Sequence, residues 1–230
     1  MKRALLLAGF LALIVMVGPA SALVSIDFGG TPGTHGTIAV TGGNATGTGI
    51  LVNSMTVSFD GGVTSQVYDV FGTGASATGF TNGSAVVSFD TSTGAFTIIG
   101  GVCVVNFNNC SGIAGVDPNV MVSGGTTLVN GTGAVSGLNF SHLTATNLTM
   151  EFSEPDQKAA ALLNALGIPL STTFALMNAT FQGGSTTGSP YNVNSTDINN
   201  SQTVPEPTSI LLLGSLLVGV TRVVRRRAKA

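Results

Sequence analysis

Apolar and polar side chains alternate in short bursts through residues 23–190, the spacing of half-buried strands rather than helices. In ILVNSMTVSFD, residues 50–60, Leu51, Met55, Val57 and Phe59 fall on one face, and Ser54, Thr56, Ser58 and Asp60 on the other. SAVVSFD repeats the pattern, with Ala85, Val87 and Phe89 against Ser88 and Asp90. Further on, Leu148, Met150 and Phe152 oppose Thr149, Glu151 and Ser153, and TTFALMNATF, residues 172–181, is another strand candidate. Glycine-rich breaks such as GGNATGTG, FGTGASATG and NGTGAVSG separate these bursts and supply turns. The pattern predicts a mainly β domain over 23–190, an antiparallel β-sandwich or jelly-roll-like fold. Val-Ser-Phe-Asp occurs at 57–60 and again at 87–90, which predicts two equivalent strands, each closed by an aspartate that starts a turn.

One stretch changes period. In SEPDQKAAALLNALG, residues 153–167, Ser153 and Asp156 have the spacing of a capping box, and Pro155 fits a first helical turn. Ala159, Leu162, Leu163 and Leu166 then form an apolar stripe, and Gly167 suits a left-handed stop. This predicts one short amphipathic helix plugging the end of the sandwich. Residues 191–203 carry few apolar side chains and read as a polar linker.

Both ends are patterned differently again. Lys2 and Arg3 precede an apolar run over residues 4–17, Gly18 and Pro19 break it, and Ala20-Ser21-Ala22 supplies an A-x-A site. These are the parts of a secretory signal peptide, 1–22, with cleavage expected between Ala22 and Leu23. At the other end, residues 208–221 are uncharged and would reach about 21 Å as a helix. The hydrocarbon core is about 30 Å thick. Snorkelling of Arg222 would let Val223 and Val224 extend the span, leaving Arg225, Arg226, Arg227 and Lys229 in the cytoplasm as a membrane-stop cluster. Both ends thus predict hydrophobic helices flanking an exported body, with the basic tail inside.

Pro205 and Pro207 stop that helix from extending upstream and hold Val204-Pro205-Glu206-Pro207 extended at the membrane boundary. This tripartite tail over 204–230 resembles the PEP-CTERM sorting signal of Gram-negative bacteria: a Pro-Glu-Pro motif, a hydrophobic helix and a basic cluster. In that family the motif is read by an exosortase, and the carriers are typically surface or secreted proteins of exopolysaccharide-producing bacteria. The resemblance implies signal peptidase and an exosortase-like processing enzyme as partners. It also implies an inner-membrane intermediate with transient membrane association, then the cell surface or extracellular matrix. It implies nothing about what the body does.

Charge sharpens the picture of the body. Between Leu23 and Thr203 nine acidic side chains face a single base, Lys158, leaving that segment at −8. Such a surface cannot neutralise phosphates, so nucleic acid is excluded as a partner. His35 and His142 are isolated and read as exposed loop residues, without a G-x-S-x-G serine or a zinc motif beside them. Glu151 and Glu154 could belong to a hydrolytic pair, but Glu154 is explained by the start of the helix, where negative charge is favoured. Asp60 and Asp90 lack the ligand density of a calcium loop and read as Asx-turns.

No catalytic residue, metal or cofactor is therefore expected. The composition predicts a non-enzymatic cell-surface or exopolysaccharide-matrix protein, with extracellular polysaccharide as a candidate partner. A carbohydrate-binding module is the first alternative, weakened by the absence of Trp. A secreted hydrolase is the second.

Two cysteines, Cys103 and Cys110, enclose the six residues VVNFNN in an exported chain, which predicts a disulfide stapling one strand to the next. Closing so short a loop contributes about 2–2.5 kcal/mol on the chain-entropy account. Non-reducing peptide mapping of exported protein is expected to recover both cysteines in one linked species; two alkylatable thiols would contradict the staple.

Overall fold

The computed structural model describes residues 23–30, 36–72, 84–104 and 118–203. Leu23–Gln202 forms one compact unit. The signal segments, His35 and Cys110 lie outside the described residues. Among the described residues no helix is long and apolar enough to cross a membrane.

Among the described residues alternation produces thirteen strands in a single antiparallel system. They are β1 (Ser25–Gly30), β2 (Thr37–Thr41), β3 (Asn44–Val52), β4 (Ser54–Phe59), β5 (Thr64–Phe71), β6 (Ala85–Asp90) and β7 (Ala95–Val104). After these come β8 (Val120–Gly131), β9 (Ser136–Leu143), β10 (Asn147–Glu154), β11 (Asp156–Lys158), β12 (Met177–Gly184) and β13 (Tyr191–Ser201), with helix α1 (Ala160–Ala165) between β11 and β12. The ladder runs β1-β4-β5-β7-β6-β3-β2-β13-β12-β10-β9, with β8 on β7 and β11 on β8.

Two long strands close this ladder into a ring. One edge of β13 is shared: Thr196 to Ser201 pair with β1, while Tyr191 and Asn192 pair with β2. One edge of β7 is shared in the same way, by β5 at Gly101 to Val104 and by β6 at Ala95 to Ile99. Each long strand therefore feeds two diverging sets of strands. The sheet folds over on itself, as the core confirms. Phe89 on β6 lies 4.8 Å from Phe181 on β12 and 5.1 Å from Phe152 on β10 between ring centroids. Those strands are separated in the ladder by β3, β2 and β13, so their rings can meet only across an interior. The result is a mainly β, sandwich-like fold around a large core, with Ile26, Ile38, Ile50, Met55, Val57 and Ile98 fully buried, and a small second cluster of Phe71, Cys103 and Val120.

The expected alternation holds in β6 and β10, where Ala85, Val87 and Phe89, then Leu148, Met150 and Phe152, point inward. The stretch 50–60 departs from expectation. Asn53 interrupts it, β3 buries Ile50 and Val52, and β4 buries Met55 and Val57, so the inward parity flips and Leu51 is only half-buried. Both Val-Ser-Phe-Asp copies end in turns, a 3₁₀ turn over Asp60–Gly62 and an Asx-turn at Asp90, whose Oδ1 accepts from the Ser92 amide at 2.9 Å. They are not equivalent, because β4 lies between β1 and β5 whereas β6 lies between β3 and β7.

Two further expectations are corrected. The helix is shorter than 153–167: Ser153 belongs to β10 and Asp156 to β11, and the cap is Ala159, without a side-chain hydrogen bond. Pro155 biases Glu154 toward extended backbone, so the strand continues where the capping pattern suggests a helix. The apolar stripe and the stop are as expected. Leu162 and Leu163 are buried, Gly167 has φ 69°, and Ile168 donates back to the Leu163 carbonyl at 2.9 Å. The strand candidate at 172–181 begins only at Met177, with Phe174 in an isolated bridge to Gln202.

Residues 191–203 are no linker: 191–201 form the strand that closes the ring. Ile198 on β13 is 1 % exposed between Phe28 and Ala179. Ile198→Ala should therefore cost about 2–5 kcal/mol in chemical denaturation. A linker would tolerate the change without measurable loss.

Candidate functional site

The strand order places a broad polar face on the outside of β1, β13, β12, β10 and β9. Across it runs one row in register: Asp27, Asn199, Asn178, Ser153 and Ser136. Beside it runs another: Asp197, Thr180, Glu151 and Asn139. Period-2 geometry puts all of these opposite the core, because their chain neighbours Ile198, Ala179 and Phe152 are buried.

A shallow depression of ≈ 200 Å³ opens in this face, lined by Gly137, Glu151, Phe152, Ser153, Asn178 and Thr180. It forms where β9 slips register against β10 between Glu151 and Ser153, a bulge with Gly137 at φ 62°. Asn139 Nδ2 donates to Glu151 Oε1 at 2.9 Å, and Ser153 Oγ donates to Asn178 Oδ1 at 2.5 Å. These bonds orient the carboxylate and the amide, leaving donors and acceptors side by side at the surface. Elsewhere on the face Asp27 lies beside Asp197, and its carboxyl is pushed up to about 6 by desolvation and then by that second charge.

A second polar cluster is buried. Lys158 Nζ donates to Asp156 Oδ2, and both side chains are almost wholly removed from water. Asn200 Nδ2, from β13, donates to Asp156 Oδ1 at 2.9 Å and to the Ala175 carbonyl at 2.9 Å. The Lys158 ammonium also lies 5.0 Å from the centre of the Phe174 ring. Burial pulls the Lys158 pKa down, against the opposing pull of Asp156. Glu154, on the inward face of β10, is 0 % exposed, and neither of its carboxylate oxygens has a hydrogen-bond partner. Its Oε1 packs so close to Gly131 that a Cβ there would sit 2.2 Å away. Desolvation, then the charge of Asp156, pushes Glu154 up to about 8. The expectation that Glu154 serves the start of a helix is therefore wrong; it is a core carboxyl.

Several residues singled out in the sequence fall elsewhere. Cys103 is fully buried on β7, no free cysteine is found among the described residues, and Cys110 lies outside them. The Leu23 carbonyl accepts from the Gly61 amide at 3.1 Å, at the very start of the compact unit. Ala20, Ala22, residues 204–207 and the basic cluster from Arg222 to Lys229 lie outside the described residues. His142 is exposed on β9, opposite Thr149. Among the described residues no group of His, Cys, Asp or Glu is arranged to hold a metal. The buried cluster escaped sequence reading, although Glu154, Asp156 and Lys158 do alternate with period 2.

No family model and no curated protein matches this chain. Among solved structures it is similar to the C-terminal domain of HtaA from Corynebacterium glutamicum, at 15% identity and TM-score 0.27, covering 79% of this chain and 97% of that one. Likeness at that level carries no argument about fold or function.

The buried carboxyl does have a measurable consequence. A folded state that raises Glu154 from 4.5 to about 8 holds a proton that the unfolded chain releases above 4.5. Its contribution is most favourable below 4.5, and stability falls as pH rises through the window to about 8, by about 1.4 kcal/mol per unit. Glu154→Gln is expected to flatten this slope in denaturation measured from pH 5 to 9. An unchanged slope would mean that Glu154 is solvated.

Proposed function

We propose that this chain is an exported, non-enzymatic protein of the cell surface or exopolysaccharide matrix, placed there by its terminal signals. In the body, the outward polar face of β1, β13, β12, β10 and β9 carries the reading. Its amides, hydroxyls and carboxylates both donate and accept hydrogen bonds, which suits many weak contacts with saccharide hydroxyls. A net charge of −8 over 23–203 disfavours anionic polymers and points to neutral ones. On this reading signal peptidase cuts before Leu23, and an exosortase-like enzyme acts at or near Val204-Pro205-Glu206-Pro207 while the tail holds the chain at the membrane.

A second reading, a carbohydrate-binding module with a defined subsite, is favoured by the depression at Glu151 and Asn178. The oriented carboxylate and amide there could grip adjacent hydroxyls of one sugar. The two readings differ in how binding energy is distributed.

Disrupting Pro205-Glu206-Pro207 should abolish matrix association in cell fractionation, while Asp60→Asn, His142→Ala and Glu151→Gln should leave it almost intact. A dispersed surface spreads its energy over many contacts, whereas a catalytic centre loses orders of magnitude with one group. Loss of association in Glu151→Gln alone, with folding and export preserved, would replace the dispersed surface by the subsite. Loss of a turnover activity in any of the three would overturn the non-enzymatic reading.

A further inference from the structure

The buried cluster on β11 and β13 has a composition that a structural ion pair does not need. A lysine amine and an asparagine carboxamide are held by the two oxygens of one aspartate: Lys158 on Oδ2, Asn200 on Oδ1. All three are withdrawn from water, with Lys158 at 7% and Asn200 at 2% exposed. The amide is pinned a second time by the Ala175 carbonyl, yet its own oxygen, Asn200 Oδ1, has no partner. An amide with an unpaired carbonyl, fixed beside an amine and a shared acid–base group, is set up for acyl transfer to the amine. We propose that Lys158 and Asn200 form an intramolecular isopeptide bond, with Asp156 as the general acid and base.

The step balances without any co-reactant. Asp156 Oδ2 takes a proton from the Lys158 ammonium, whose charge burial disfavours. The freed Nζ electron pair attacks Asn200 Cγ, and the carbonyl pair moves onto Oδ1. Asp156 passes a proton to Nδ2 and recovers one from Nζ. The pair on Oδ1 re-forms the carbonyl, the Cγ–Nδ2 bond breaks, and ammonia leaves. An ammonium, a carboxylate and a primary amide become a secondary amide, a neutral acid and ammonia. The two charges in the core are lost. Glu154, with both oxygens unpaired and its carboxyl held protonated by desolvation, does not compete with Asp156 for the lysine.

The bond would tie β11 to β13 across 42 residues of chain, at the strand that closes the ring. It is a covalent counterpart to the hydrogen bonds of the last strand and does not depend on where the protein resides.

The sequence supplies an unusually clean test. Lys158 is the one lysine or arginine between Leu23 and Thr203, and therefore the one tryptic site of the body. Exported protein, reduced and denatured, should resist trypsin at Lys158 and weigh one ammonia less than the sequence between its own termini. A second protease should then release a branched peptide joining Lys158 to Asn200. Asp156→Ala and Asn200→Ala should regain the full mass and be cut after Lys158 into two fragments, a readout that needs no folded variant. Wild-type protein cut after Lys158 at full mass would overturn the proposal. So would an ammonia loss mapped to an Asn-Gly pair, or a loss of water linking Lys158 to Asp156.

Discussion

The body is held shut by β13, whose one edge must bond to β1 and β2 while its other edge bonds to β12. Those ladders join the first strand of the compact unit to the last, from Ser25 opposite Ser201 to Gly30 opposite Thr196. The Val24 amide and carbonyl both engage Gln202, so the two ends of the unit are zipped together. Closing a loop of that length costs entropy that is regained only when the whole ladder forms. Folding is thereby bound to arrival of residues 191–201, and sheets with such distant pairing are slow to assemble. The tail follows within a few residues of that strand.

Closure is achieved with a polar strand. Tyr191, Val193 and Ile198 supply its apolar inward side chains, but Thr196 and Asn200 are also buried. The aromatic cluster of Phe89, Phe96, Phe152 and Phe181 offsets that cost from the other strands, since each buried ring removes a large apolar area from water. At the far end of β13, Asn200 bonds to Asp156, whose other oxygen holds Lys158. A buried ion pair is poor evidence of stability, because desolvation consumes most of the attraction. A covalent bond between Lys158 and Asn200 would remove that penalty and fix the closing strand at once. Tyr191 anchors the opposite end, its hydroxyl donating to the Thr144 carbonyl at 2.7 Å.

Strands whose inward positions are uniformly apolar, such as β6 and β10, were legible in the sequence, as were the apolar stripe of α1 and the glycine that stops it. The closing strand was not, because, of its five buried residues, Thr196 and Asn200 are polar and Ile198 lies beyond a bulge. Between Gln182 and Gly183 the register against β13 slips, so the inward set passes from Tyr191 and Val193 to Thr196 and Ile198. A period-2 search loses the strand at that slip. Glu154 and Lys158 were hidden by a different conflict: a local capping pattern outweighed period 2, although pairing of β11 with β8 decides the conformation. The outward polar face was legible as alternation, but which strands share it depends on the ladder order alone.

The central claim, that residues 191–201 close the sheet and are part of its core, is tested most directly by hydrogen exchange on the exported protein. Amides that leave water only by global unfolding exchange together, whereas those of loops exchange on their own. The account predicts that Ile26 on β1 and Ile198 on β13 exchange at one common slow rate, alongside Phe152 on β10. Exchange of 191–201 within seconds, while Phe152 stays protected, would contradict it.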